Sequence, residues 1–305
     1  MPQVLTDKQV RDYRTEGFIL VSDVLSPEEI QTLRTVTDEF IEKSRHVADH
    51  NDVFDLEDGH SAAEPRIRRI KYPHRHHHAY AELARHPIVV KVLQDLWGPN
   101  IRFQSSKLNM KSAGFGSPVE WHQDWAFYPH TNEDLAAEGL MLDDCTMENG
   151  PLLVIPGSHR GPIHDHHANG RFCGAINPQT SGIDFSKAVA LTGKAGSMTV
   201  HHVRAIHGSA PNRSQTNRAL LLLMHRAADA WPIFRVPTSI EAFDALMVAG
   251  TSNNQPRMEA LPLRIPLPSS TGQGSIYVRQ QDMSARYFDT ADTESDGRKF
   301  VEAAH

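Results

Sequence analysis

The segment VEWHQDWAFYPH, residues 119–130, sets His122 and Asp124 two residues apart among aromatic side chains. On an extended strand, residues i and i+2 project from the same face. An imidazole and a carboxylate would then point together while Gln123 turns away. Two such groups can begin a metal site but cannot complete one. A third donor is offered by VRAIHGSAPNRS, in which His207 ends a strand-like segment ahead of Gly208. Two histidines and one carboxylate on one side of a divalent ion leave three coordination positions open, the arrangement of non-haem Fe(II) centres that activate dioxygen. An H-x-D pair alone recurs by chance, so it needs support. Arg218, eleven residues beyond His207 at the start of the apolar run ALLLLM, supplies some. A guanidinium carried inward by a strand requires an anionic partner, and its planar fork suits a carboxylate.

Strands must hold these side chains, and the chain after Gly98 has strand composition. IRFQSSKLNMK, SPVEWHQDW, GPLLVIPG, GSMTVHHVRAIHG and NRALLLLMHRA are short segments separated by Gly, Pro and Asn. That pattern predicts a mainly β sandwich or barrel of the jelly-roll kind. Asn149-Gly150 reads as a hairpin-type turn, and PGSHRG as a loop in which His159 bonds backbone. The first 98 residues read as helical. Thr6 with Gln9 and Ser26 with Glu29 form capping boxes, Pro27 and Pro87 open helices, Gly17 and Gly98 close them, and FILV is one short strand. Residues 45–75 are polar and read as a long loop, with the basic stretch RIRRIKYPHRHHH, residues 66–78, as a solvated charged face. Residues 251–275 are rich in proline and small polar side chains and read as an insertion or lid. One domain over 1–305 is expected, with an N-terminal helical portion over residues 1–98, a jelly-roll core over 99–230 and a C-terminal extension over 231–305.

The 305-residue chain is 39% hydrophobic and 22% charged, with formal net charge -6. No global basic field invites nucleic acid or an anionic membrane. No apolar run approaches the roughly 20 residues that span a bilayer, and no secretory pattern opens the sequence, so a cytoplasmic protein is expected. Cys145 and Cys173 fit two buried thiols in a reducing compartment. The clusters HRHHH and HDHH are not expected to form metal cages, because consecutive side chains point to different sides of a regular backbone.

The motifs WHQDWAFYP, ENGPLLVIPGSHRG and IHGSAPNRSQTNRA occur in that order. Over about residues 99–228 the chain resembles the phytanoyl-CoA dioxygenase family of Fe(II)/2-oxoglutarate oxygenases, and YRTEGFILV is similar to that family's usual beginning. The resemblance implies a double-stranded β-helix with helices packed outside it, and Fe(II), 2-oxoglutarate and O2 as cofactors. It implies His122, Asp124 and His207 as iron ligands, Arg218 as the grip on the distal carboxylate of 2-oxoglutarate, and Ser209 as its hydroxyl partner. Asn109 and Lys107 are implied co-substrate contacts, Lys107 standing where ectoine hydroxylases carry an arginine. Related halogenases have a small residue at the position of Asp124, so hydroxylation is implied rather than halogenation. Tyr128, Phe127 and Trp125 are candidate substrate-pocket walls. His201, which alternation turns inward with His207, is either a further pocket residue or a satisfied core histidine. Arg204 should face away, and Arg279 is a candidate from the C-terminal segment.

The expected reaction is oxidation, chiefly hydroxylation, of an unactivated C–H bond in a small or medium organic metabolite, with 2-oxoglutarate converted to succinate and CO2. Two other classes could use the triad: a cupin-like hydrolase, lyase or isomerase with another divalent ion, and a silent binding module. Arg218 argues against the first and the complete ligand set against the second. Monomer and homodimer are both compatible with the sequence.

Overall fold

The structure, a computed structural model, describes residues 3–114, 116–270, 275–288 and 300–303. Local chemistry starts its first helices. The Thr6 and Ser26 side chains each accept the N–H three residues on, and Gln9 and Glu29 return the bond. These caps open Asp7–Glu16 (α1) and Pro27–Ser44 (α2). Gly17, left-handed at φ 84°, closes α1. His78–Leu83 (α3) and Pro87–Trp97 (α4) follow, and Ile240–Asp244 (α5) and Ile276–Arg279 (α6) are short C-terminal helices.

The strands are Phe18–Val21 (β1), Phe54–Leu56 (β2), Ile67–Lys71 (β3), Ile101–Lys111 (β4), Val119–His122 (β5), Leu135–Met141 (β6), Leu152–Val154 (β7), His167–Ala168 (β8), Arg171–Phe172 (β9), Val189–Leu191 (β10), Met198–His202 (β11), His207–Ser209 (β12), Arg218–Ala227 (β13), Met247–Ala249 (β14) and Val301–Glu302 (β15). An eight-stranded sheet runs β1-β11-β6-β13-β4-β3-β2, with β14 also paired to β4. A five-stranded sheet runs β15-β10-β7-β12-β5. A pocket lies between the two sheets, as in a jelly roll. Strand β13 shows why its sequence is continuously apolar. Ala219, Leu221 and Leu223 join the core formed with Leu33, Phe40, Val89 and Leu93 of the helices. Arg218, Leu220 and Leu222 line the pocket instead. Both faces are covered, so alternation disappears.

The expectation of a helical N-terminal portion needs correction. Besides the expected strand β1, it contains β2 and β3, and all three join the large sheet. The expected loop 45–75 therefore contains two strands, and residues 67–71 of the basic stretch are not a solvated face, whereas Arg75, His76 and His78 are exposed. Arg68 is buried in an ion pair with buried Glu57 at 2.8 Å, and Lys71 pairs with Asp55 at 2.8 Å. Charge pairing made this strand polar in composition although it is internal in position. Asn149-Gly150 likewise does not close a hairpin: it lies between β6 of the large sheet and β7 of the small one.

Of the expected lid, residues 271–274 lie outside the described residues, as do 289–299 of the C-terminal extension. The described portion is tied down. Arg257 bridges Asp134, Asp229 and Glu259, and Phe172 donates its backbone N–H to the Pro268 carbonyl at 2.8 Å. Among the described residues no helix is long and apolar enough to cross a membrane. Cys145 and Cys173 are free and buried.

Candidate active site

Antiparallel pairing of β5 with β12 sets His207 opposite His122, with ring centroids 4.0 Å apart. Asp124 is not on the strand. β5 ends at His122, and Asp124 opens a 3-10 turn, Asp124–Ala126. Gln123 is still extended at φ -120°, ψ 128°, so the two ligands share a face although the strand has ended. His122 Nε2 lies 3.9 Å from Asp124 Oδ1, and His207 Nε2 lies 4.0 Å from Oδ2. One ligand atom from each of the three falls within 4.8 Å of the others. No other such His/Cys/Asp/Glu group occurs among the described residues, so HRHHH and HDHH form none.

The surroundings set the protonation states a metal needs. The Nδ1 atoms of His122 and His207 face backbone carbonyls, Glu120 O at 2.8 Å and Ala205 O at 3.0 Å. Nδ1 donates in each, which leaves Nε2 as the free lone pair. Burial pushes His122 down to about 4 and His207 well below the usual range, so both rings are neutral. Burial alone would raise the Asp124 carboxyl. The Lys107 ammonium and the neighbouring histidines outweigh it and hold Asp124 ionised. Two neutral nitrogens and one carboxylate fit a divalent cation. The loop between the ligands is fixed by His166, whose Nε2 accepts the Gln123 N–H at 2.9 Å.

Beside the triad, the pocket is lined by Arg69, Lys107, Asn109, Lys111, Arg218 and Tyr277. Period-two alternation along β4 brings 107, 109 and 111 to one face, and β13 matches them: Leu222 opposite Lys107, Leu220 opposite Asn109, Arg218 opposite Lys111. Lys111 Nζ donates to Ser209 Oγ at 2.8 Å and also to the Ala210 carbonyl. Arg218 donates to the Gly150 and Asn149 carbonyls. Burial lowers Lys111 well below the usual lysine range, and Arg218 adds to the effect. Glycines make the room: a Cβ on Gly150 would lie 2.5 Å from Ala210 O and 2.9 Å from Lys111 Nζ. Arg69 Nε donates to Asn109 Oδ1 at 2.9 Å. The buried Tyr277 hydroxyl has no hydrogen-bond partner among the described residues.

Comparison with known proteins then decides the family. The phytanoyl-CoA dioxygenase (PhyH) family matches residues 13–220. The chain belongs to that family. A probable alpha-ketoglutarate-dependent hypophosphite dioxygenase of Stutzerimonas stutzeri is 36% identical over 285 residues, spanning 92% of this chain and 99% of that protein. The L-proline trans-4-hydroxylase of Streptomyces griseoviridis is 30% identical over 248 residues, spanning 75% of this chain and 88% of its own. Among solved structures, EctD from S. alaskensis with bound Fe has a TM-score of 0.64 at 23% identity, with 86% of this chain and 89% of that one covered. The PhyH chain thus has the jelly-roll fold of the non-haem 2-oxoglutarate oxygenases and is an iron- and 2-oxoglutarate-dependent oxygenase. The hydrolase and silent-module alternatives are not favoured.

An outer chamber of about 510 Å³ shares Arg69, Lys107, Asp124 and Ile276 with the inner pocket. Tyr128, Phe127 and Arg279 line it. Trp125 is corrected. Its side chain packs with Leu135, Val203 and Ala230, its indole donates to Pro262 O at 3.1 Å, and it lines a separate cleft. The residue follows Asp124 into the turn and so points away from the metal side. His201 lines the inner pocket. Among the described residues neither of its ring nitrogens has a hydrogen-bond partner, so it is not a satisfied core histidine, and its Nε2 stands 3.6 Å from Asp124 Oδ2. His202 turns the other way, against Tyr13 and His159. Arg204 faces away and pairs with Glu133 at 2.5 Å. His159 lies 3.1 Å from the Arg14 carbonyl of α1. Arg69, Lys111 and Tyr277 are pocket residues that sequence reasoning missed. Alternation from Lys107 and Asn109 could have found Lys111; no local signal marks the other two.

Proposed function

We propose that His122, Asp124 and His207 hold the ferrous ion, and that Lys111, Arg218 and Ser209 receive the distal carboxylate of 2-oxoglutarate. The substrate is a small or medium organic metabolite, hydroxylated at an unactivated C–H bond. Iron and 2-oxoglutarate, when bound, supply the oxidising chemistry, and 2-oxoglutarate leaves as succinate and CO2. The chain's residues bind, orient and exclude. The carbonyl-bonded Nδ1 atoms fix both imidazoles with Nε2 toward the cavity. Asp124 contributes the negative charge and leaves no room for a halide in its place. Arg218 offers a cation, and Lys111, whose charge burial disfavours until an anion arrives, offers a second donor at a site where an anion escapes water. The Tyr277 hydroxyl, unpartnered among the described residues, is a further donor beside them. Asn109, which lines the inner pocket but not the outer chamber, stays with the co-substrate. Phe127 and Tyr128 wall the substrate side and limit water at the centre.

The observation that carries this reading is the pairing of Lys111 with Arg218 in the same pocket as the triad. The names of relatives point to small polar substrates: hypophosphite, L-proline and ectoine. Free buried thiols and a need for ferrous iron support a reducing, cytoplasmic setting. The test is oxygen-dependent conversion of 2-oxoglutarate to succinate by Fe(II)-loaded protein. Wild type should form succinate, and Lys111→Met should need at least about tenfold more 2-oxoglutarate, the scale of a lost charge-assisted bond. Wild-type protein that binds iron yet forms no succinate would refute the reading.

A further inference from the structure

The outer chamber carries charge that the co-substrate does not satisfy. Arg69 and Lys107 line both spaces, and Lys71, Arg235 and Arg279 add to the outer one. Asp124 is the sole acidic residue lining either space among the described residues. Lys71 has its own counter-ion in Asp55, and Arg235 and Arg279 lie over the rings of Phe234 and Phe172. Arg69 and Lys107 are placed differently. Arg69 is buried and donates to a neutral amide oxygen, that of Asn109. Arg69 has no ion-pair contact with a carboxylate among the described residues, and Lys107 has Asp124 nearby, which it holds ionised, but no closer carboxylate.

Ferrous iron and the 2-oxoglutarate dianion together add no net charge, so loading both leaves this excess in place. Lys111 and Arg218, which line only the inner pocket, are the cations a co-substrate would occupy. Lys107 and the iron then share Asp124, the one acidic residue lining either space among the described residues. Arg69 and Lys107 therefore face the chamber with more positive charge than that single carboxylate balances, which is costly. The substrate therefore carries the missing anion. At about 510 Å³ the chamber exceeds what a bare inorganic oxyanion fills, and Phe127, Phe172, Phe234 and Ile276 give it apolar wall.

We infer that the substrate is an organic phosphorus dianion, a phosphonate or phosphate monoester, held by its head group on Arg69 and Lys107 with its carbon chain along the aromatic wall. This rests on the reading of the inner pocket as the iron and 2-oxoglutarate site. A tetrahedral dianion offers oxygens to a guanidinium fork and an ammonium at once, where a monocarboxylate neutralises only one of them. Lys107 thereby passes from the co-substrate to the substrate.

The test is anaerobic calorimetry on protein loaded with Fe(II) and 2-oxoglutarate, titrated with propylphosphonate, propyl phosphate and butyrate while the visible absorption of the chelated keto acid is followed. At least one phosphorus compound should bind about tenfold or more tighter than butyrate with the absorption retained; the tighter of the two identifies the source. Arg69→Gln and Lys107→Met should each weaken that compound at least about tenfold more than they weaken 2-oxoglutarate. Lys107→Met serves if loss of the Arg69–Asn109 bond disturbs folding, since the Lys107 side chain has no hydrogen bond to lose among the described residues. Because Lys107 also holds Asp124 ionised, the retained keto-acid absorption shows that the variant's centre is loaded. Butyrate binding equally well, neither phosphorus compound binding, displacement of 2-oxoglutarate, or unaltered affinity in Lys107→Met each overturns the inference. Failure of wild type to bind 2-oxoglutarate overturns the underlying reading instead.

Discussion

Asp124 carries the charge balance of the centre. It is the carboxylate among Arg69, Lys107, Lys111 and Arg218 in the inner pocket, and without it the two neutral imidazoles would face only cations. Asp124→Asn should therefore weaken ferrous binding by more than about a hundredfold, beyond the effect of an outer-shell change; a metal titration that shows wild-type affinity contradicts this. His122, Asp124, His207 and Arg218 were legible in the sequence because the H-x-D spacing is meaningful on extended backbone and His207 and Arg218 mark the ends of strand-like segments. Lys111 was less so, since a lysine at a strand end resembles a surface residue until Lys107 and Asn109 are seen to share its face. Arg69 was hidden in the basic stretch 66–78, and only the pairing of β3 with β4, which sets Arg69 opposite Asn109, brings it to the pocket.

Elements position these residues through a few tight contacts. Gly150, at φ 75° between β6 and β7, supplies the carbonyl that Arg218 grips and leaves space for Lys111. Gly150→Ala should destabilise the fold by about 1–3 kcal/mol in urea denaturation and raise the 2-oxoglutarate requirement as well. A change in stability alone would uncouple the turn from the grip. Ser26→Ala removes the cap of α2, on the outer side of the large sheet. It should lower stability by about 1 kcal/mol and leave 2-oxoglutarate affinity unaltered; an altered affinity would mean that the helix reaches the site. The caps of α1 and α2 were readable because their chemistry is local. β2 and β3 were not, because long-range pairing and buried ion pairs form them, and a polar composition then reads as loop.

Across the whole molecule, buried histidines tie stability to pH. Burial pushes His130, His166 and His74 down to about 3, 3 and 4. Arg226, which donates to His130 Nε2 at 2.7 Å, adds to the effect there. An unfolded histidine titrates near 6.5, so between about pH 6.5 and 4 the unfolded chain binds more protons than the folded one. The contribution of these rings is complete above about pH 6.5 and is lost as pH falls. The melting temperature should drop between pH 7 and pH 5, and His130→Gln should lessen the drop; a flat profile in wild type contradicts this. The central claim, that the triad and the cation pair form one iron and 2-oxoglutarate site, is tested most directly without oxygen. Fe(II) and then 2-oxoglutarate are added to metal-free wild type, Arg218→Ala and His122→Ala, and the visible absorption of the chelated keto acid is recorded. The account expects the band in wild type, a weaker one without the arginine and none without the histidine. Iron binding by wild type with no band, or an undiminished band in His122→Ala, would contradict it.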